Sequence, residues 1–140
     1  VRLKEQPSYE FEYKTKIKVR DINYGGHLGN DSLISILHEA RIELLQELGY
    51  TELDLGDKKT GIIMSDLAVN YKKEAFLHDL IKVYTHIDEI KNFTFRMFHK
   101  VVRGDDLLAL AEIGIVTYNY IEKAPVQVPV PFIKAIEYEV

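Results

Sequence analysis

A chain of 140 residues with 46% apolar content is long enough to bury one sizeable core and too short for two ordinary domains, so a single domain over residues 1–140 is expected. Eighteen basic against 22 acidic residues leave a formal charge of −4, with the two signs interspersed, which argues against a nucleic-acid partner because phosphate backbones require a broad basic face. The absence of cysteine removes disulfides, thiolate chemistry and cysteine-based zinc sites together.

The start VRLKEQPSYE has no apolar run of the signal-peptide kind. Nowhere do about eighteen apolar residues run together, as a membrane helix needs. The expectation is a soluble, cytoplasmic protein with no membrane partner.

In chain order, FEYKTKIKV (residues 11–19) alternates. Phe11, Tyr13, Thr15, Ile17 and Val19 fall on one side and Glu12, Lys14, Lys16 and Lys18 on the other, as in a half-buried strand. DINYGGHLGND (residues 21–31) then gathers an acid, carboxamides, a histidine and a Gly-Gly pair before a helical segment. From Ser32 to Leu48, Leu33, Leu37, Ala40, Leu44 and Leu48 recur at helical spacing, and Ile34, Ile36 and Leu45 widen the apolar arc beyond half the circumference. A largely enclosed helix over about residues 31–49 is expected, capped by Asn30 or Asp31 and ended by Gly49.

Four further strand-like runs follow, at roughly 62–72, 80–90, 93–103 and 107–121, rich in β-branched and aromatic residues and joined by short connections. Gly104-Asp105-Asp106 and the proline-bearing tail from Pro125 to Pro131 read as turns. One enclosed helix among period-two segments implies an α+β architecture, a curved antiparallel sheet of about five strands around a long central helix.

The order of these pieces resembles the hot-dog fold of the 4-hydroxybenzoyl-CoA thioesterase family and its acyl-CoA and acyl-ACP thioesterase relatives. The resemblance rests on Asp21, Gly26, His27, Asn30, Glu39, Ala40, Arg41, Tyr71 and Asp79 and spans about residues 11–121. It implies thioester hydrolysis without metal or cofactor, an acyl-CoA or acyl-ACP substrate, and a homodimer or homotetramer with sites at the subunit interface. The chain departs from the family's first-loop pattern at its second acid, used by relatives as nucleophile or base, which is Asn23 here. That departure motivates an alternative reading, a non-catalytic acyl-thioester binding protein.

The chemistry constrains the roles. Hydrolysis needs an attacking group and donors for the oxygen that becomes negative, and the first N–H groups of a helix are such donors. Gly25 and Gly26 permit close backbone approach or positive φ. His27 is expected to border the site, Asn30 to cap the helix while lining it, and Tyr71 and Phe76 to wall an acyl channel. With asparagine at 23, charge must come from Asp21 or Glu39. Asp21 leaves the strand on the same face as Asn23, yet it is equally suited to a local turn or to pairing with Arg41, which falls inside the apolar arc and needs a partner. Glu39 lies outside the arc and is the choice for base, with Asn23 and His27 positioning water and thioester. His38, His78, His86 and His99 lack metal-ligand spacing and default to packing or surface roles.

Overall fold

A computed structural model describes residues 1–139. The strands are β1 (Phe11–Lys16), β2 (Thr60–Tyr71), β3 (Leu80–Lys91), β4 (Thr94–Arg103), β5 (Asp106–Asn119) and β6 (Ala124–Pro125). The helices are α1 (Asn30–Glu47) and α2 (Val130–Glu139), and a 3-10 turn covers Val19–Asp21. Every strand pairing is antiparallel, in the order β1-β3-β4-β5-β2 with β6 beside β5. The sheet therefore has six strands rather than about five, and β1 and β2 are its edges.

The alternation expected of β1 is present and continues through β3 and β4, which send Ile81, Val83 and Ile87 and then Phe95, Met97 and Val101 into the core. Helix α1 contributes Leu33, Ile36, Leu37, Ala40, Leu44 and Leu45 to the same cluster. Its end is a Schellman motif: Gly49 takes φ +87, its N–H donates to the Gln46 carbonyl, and Tyr50 N–H donates to the Leu45 carbonyl at 2.7 Å. Its start departs from expectation. Gly29 is the N-cap, no side chain caps the first turn, and Asn30 is already helical.

Helix α2 corrects the expectation of a turn-rich tail. Its first backbone bond runs from Ile133 N–H to the Pro129 carbonyl, 3.1 Å, so Pro131 lies in the first turn, where a missing N–H costs nothing. Phe132, fully buried, packs against Tyr50 and Phe95 with ring centroids 6.0 and 5.2 Å away. On the other face, the segment before β1 crosses the sheet: Leu3 N–H donates to Asn70 Oδ1 at 2.7 Å and Glu5 pairs with Lys100. Among the described residues no helix is long and apolar enough to cross a membrane.

Arg41 and His99 are the ionisable groups among the buried polar residues. Arg41, 7% exposed, donates from Nε to Glu52 Oε2 at 2.9 Å, while Glu52 Oε1 meets His38 Nε2 at 2.8 Å. The partner of Arg41 is thus Glu52 and not Asp21, because the turn after α1 folds back alongside the helix. Burial pushes the Glu52 carboxyl up, but the His38 and Arg41 hydrogen bonds outweigh it and hold the group below its ordinary value.

His99, 1% exposed, shares a 2.8 Å hydrogen bond between Nδ1 and Thr85 Oγ1. Burial, aided by the charge of Arg41, lowers it from 6.5 to about 3. The folded protein therefore keeps His99 neutral where the unfolded chain binds a proton. That contribution is fully present above pH 6.5 and is lost as pH falls toward about 3, with a slope of up to about 1.4 kcal/mol per pH unit. Urea denaturation between pH 7.5 and pH 4, on the order of one curve per half unit, should show this decline. His99→Asn should flatten it.

Candidate active site

The loop 21–29 is built by its own backbone. Ile22 and Leu28 form an isolated antiparallel bridge, Asn23 N–H donates to the His27 carbonyl at 2.9 Å, and Gly26 N–H donates to the Asn23 carbonyl at 3.0 Å. Gly26 takes φ +84 to close this turn, which a side chain would resist. Asn23 Oδ1 accepts from Gly25 N–H at 2.9 Å and from His27 N–H at 3.4 Å. Its amide oxygen is thereby committed to the turn, and only the Nδ2 donor is left for a ligand.

One bond closes the loop on itself and another fixes it to the rest of the fold. Gly29 N–H donates to the Asp21 carbonyl at 2.9 Å, and Leu28 N–H donates to the Ala75 carbonyl at 2.7 Å. The segment after β2 is braced by Arg103, which donates to Asp79 Oδ2 at 2.7 Å, the Glu74 carbonyl at 3.2 Å and Asp106 Oδ2 at 3.0 Å. The Arg103 hydrogen bond, with one from Phe76 N–H, holds Asp79 below the ordinary carboxylate range.

Between loop 21–29, the start of α1 and the segment after β2 lies a cleft of about 760 Å³. Asn23, His27, Asn30, Asp31, Tyr71 and Glu74 contribute polar groups to it, and Leu33, Ala75, Val101, Leu108 and Ala109 line it with apolar surface. His27 Nδ1 lies 3.2 Å from the Leu28 carbonyl. A carbonyl only accepts, so Nδ1 carries the proton and a neutral ring leaves Nε2 as an acceptor. Nε2 stands 3.8 Å from Glu74 Oε1. Tyr71 Oη donates to the Asn30 carbonyl at 2.8 Å. Burial, and after it the charge of Asp31, raises the Tyr71 phenol above its ordinary value.

Of the residues expected at the site, the cleft gathers Asn23, His27, Asn30 and Tyr71. Gly25 and Gly26 shape the turn behind Asn23, and Phe76 lies outside the lining, its N–H donating to Asp79 Oδ2 at 2.9 Å. Asp21 Oδ2 accepts from Lys18 N–H at 2.8 Å, the local-turn role. Glu39 accepts from Tyr13 Oη at 2.9 Å and lies outside the cleft of its own chain. Burial, followed by the hydrogen bond to Glu39, raises the Tyr13 phenol. Sequence reasoning missed Asp31 as more than a cap, and missed Glu74, whose signal was its position three residues beyond Tyr71.

The family model for the thioesterase-like superfamily matches residues 17–136, which takes in the loop, α1, most of α2 and every strand but β1. This chain belongs to that superfamily. It is 24% identical over 120 residues to the acyl-CoA thioesterase YbgC of Haemophilus influenzae, covering 85% of this chain and 88% of that protein. It is 21% identical to the acyl-CoA thioester hydrolase YbgC of Escherichia coli, covering 85% and 90%. Among solved structures it shares its fold with the 1,4-dihydroxy-2-naphthoyl-CoA thioesterase Slr0204 from Synechocystis, at TM-score 0.81 and 18% identity over 90% of this chain and 94% of that one. The gentisyl-coenzyme A thioesterase BH1999 superposes at TM-score 0.79 with 23% identity over 89% and 98%.

Proposed function

We propose that this protein hydrolyses acyl thioesters, acyl-CoA or acyl-ACP, to a free acid and a thiol. The observation that carries the reading is the cleft itself, where polar groups and an uncapped helix start stand over an apolar lining, in a chain of the thioesterase-like superfamily. In this reading the sheet curls around α1 as in the hot-dog fold, and the acyl group lies against Leu33, Val101 and Leu108. The thioester oxygen faces the first N–H groups of α1, which have no side-chain cap and favour developing negative charge. Asn23 Nδ2 and His27 position water and thioester.

The binding-protein alternative is not favoured, since the curated relatives are named as hydrolases. A role for Glu39 as base requires a cleft completed by a second subunit, because in its own chain it is bonded to Tyr13. Edge strand β2 suits a second copy: it is twelve residues long, carries Ile63 at 38% and Met64 at 45% exposure, and offers an unpaired side. The absence of cysteine suits a reducing cytoplasm, where CoA esters are handled.

Incubation with a panel of aliphatic and aromatic acyl-CoAs and a thiol reagent should release free CoA from at least one member. Thermal stabilisation by acyl-CoA without release would instead support the binding protein. Light scattering at low micromolar concentration should give at least twice 16.2 kDa. A persistent monomer would remove Glu39 from consideration as base.

A further inference from the structure

We propose that Asp31 is the general base of the hydrolysis, its carboxylate standing beside Asn23 because Gly29 leaves the space for it. This assignment rests on the thioesterase reading above. A Cβ placed on Gly29 would lie 2.7 Å from Asp31 Oδ1 and 3.6 Å from Asn23 Cβ. The first-turn carboxylate is therefore folded back over the glycine, which is flanked as well by the side chain of Asn23, the residue that carries an amide where the loop pattern calls for an acid. Gly29 itself has φ −68, an ordinary value for any residue, so backbone conformation does not demand glycine here. What a side chain would displace is the Asp31 carboxylate.

The other acids have other engagements. Asp21 closes the turn with Lys18 N–H, and Glu39 accepts from Tyr13. Glu74 shares the cleft and is exposed, as Asp31 is, but it faces the His27 imidazole. Asp31 lines the cleft with no hydrogen-bond or ion partner among the described residues, and it is near enough to Tyr71 for its charge to act on that phenol. Of the basic groups nearby, Lys73 is paired with Asp106 and Arg103 with Asp79 and Asp106, while Lys72 on the lining has no ion partner among the described residues and is no competitor as base.

In the resulting step, Asp31 takes one proton from a cleft water as the water oxygen bonds to the thioester carbonyl carbon. The carbonyl π pair moves onto oxygen, held by the α1 N–H groups. Collapse reforms the carbonyl and breaks the C–S bond, the sulfur leaving with the electron pair. Asp31 returns its proton to that thiolate, giving free acid and thiol.

Asp31→Asn keeps the shape and removes the charge. It should lower kcat by at least about 10²-fold with KM within about threefold and leave the circular dichroism spectrum unchanged. Asn23→Asp in the Asp31→Asn background should restore kcat by at least about tenfold, because it supplies a carboxylate from the neighbouring lining position of the same cleft. Gly29→Ala, which pushes on the Asp31 carboxylate and not on the fold, should lower kcat by about tenfold or more with KM unchanged. An active wild type matched by Asp31→Asn within about threefold overturns this assignment alone. A loss in Asp31→Asn that Asn23→Asp does not restore also overturns it, since a structural role would behave so. A wild type that releases CoA from no acyl-CoA contradicts the thioesterase reading and takes the base with it.

Discussion

The 2.7 Å hydrogen bond from Leu28 N–H to the Ala75 carbonyl joins the two segments that make the cleft. One is the loop that feeds α1; the other is the stretch between β2 and β3. Ala75 is buried, so this bond is shielded from competing water and the two backbones move together. Helix α1 begins two residues after Leu28, and its apolar arc is locked into the core. The position of the uncapped helix start relative to Tyr71 and Glu74 thus follows from one backbone contact and one hydrophobic seam. Backbone groups and the distant Arg103 do the holding, which leaves the side chains on the cleft for a ligand.

The polar groups of the interior divide by role. Arg41, Glu52 and His38 form one connected set at the turn after α1, and His99 with Thr85 another in the sheet. Neither reaches the cleft. Arg41 is paired with Glu52, as a buried charge must be, whereas His99 Nε2 is buried without a partner and the ring stays neutral because its charged form could not be solvated. On the cleft the balance differs: the Asp31 carboxylate has no partner among the described residues, Glu74 faces His27, and Lys73 and Arg103 behind them are paired. In the proposed step a water held there meets a base on one side and N–H donors on the other, which is the asymmetry that thioester hydrolysis requires.

Much of this was legible in the sequence. The β1 alternation and the wide apolar arc of α1 gave the elements within a few residues, and DINYGGHLGND marked one wall of the cleft, with Asn23, His27, Asn30 and Tyr71 all on its lining. Helix α2 was not legible because Pro129 and Pro131 read as breakers, although a proline in the first turn is compatible with a helix. The need of Arg41 for a partner was legible, with Asp21 as one candidate, but Glu52 was not, because it reaches Arg41 only through the path of the turn after the Schellman motif, and no local spacing encodes that path. Asp31 was hidden by its chemistry: an acid at a helix start looks like a cap, and only three-dimensional geometry shows its carboxylate lying over Gly29.

The central claim is that the cleft between the DINYGGHLGND loop and the segment after β2 holds the reacting thioester. A crystal structure with a non-hydrolysable acyl-CoA, the thioester replaced by an amide, tests it most directly. The account predicts the amide oxygen within about 3 Å of an N–H in the first turn of α1, the acyl chain against Leu33, Val101 and Leu108, and Asp31 facing the carbonyl carbon. An analogue seated instead in the open groove lined by Phe93, Val126 and Val130, with the loop cleft empty, would contradict it.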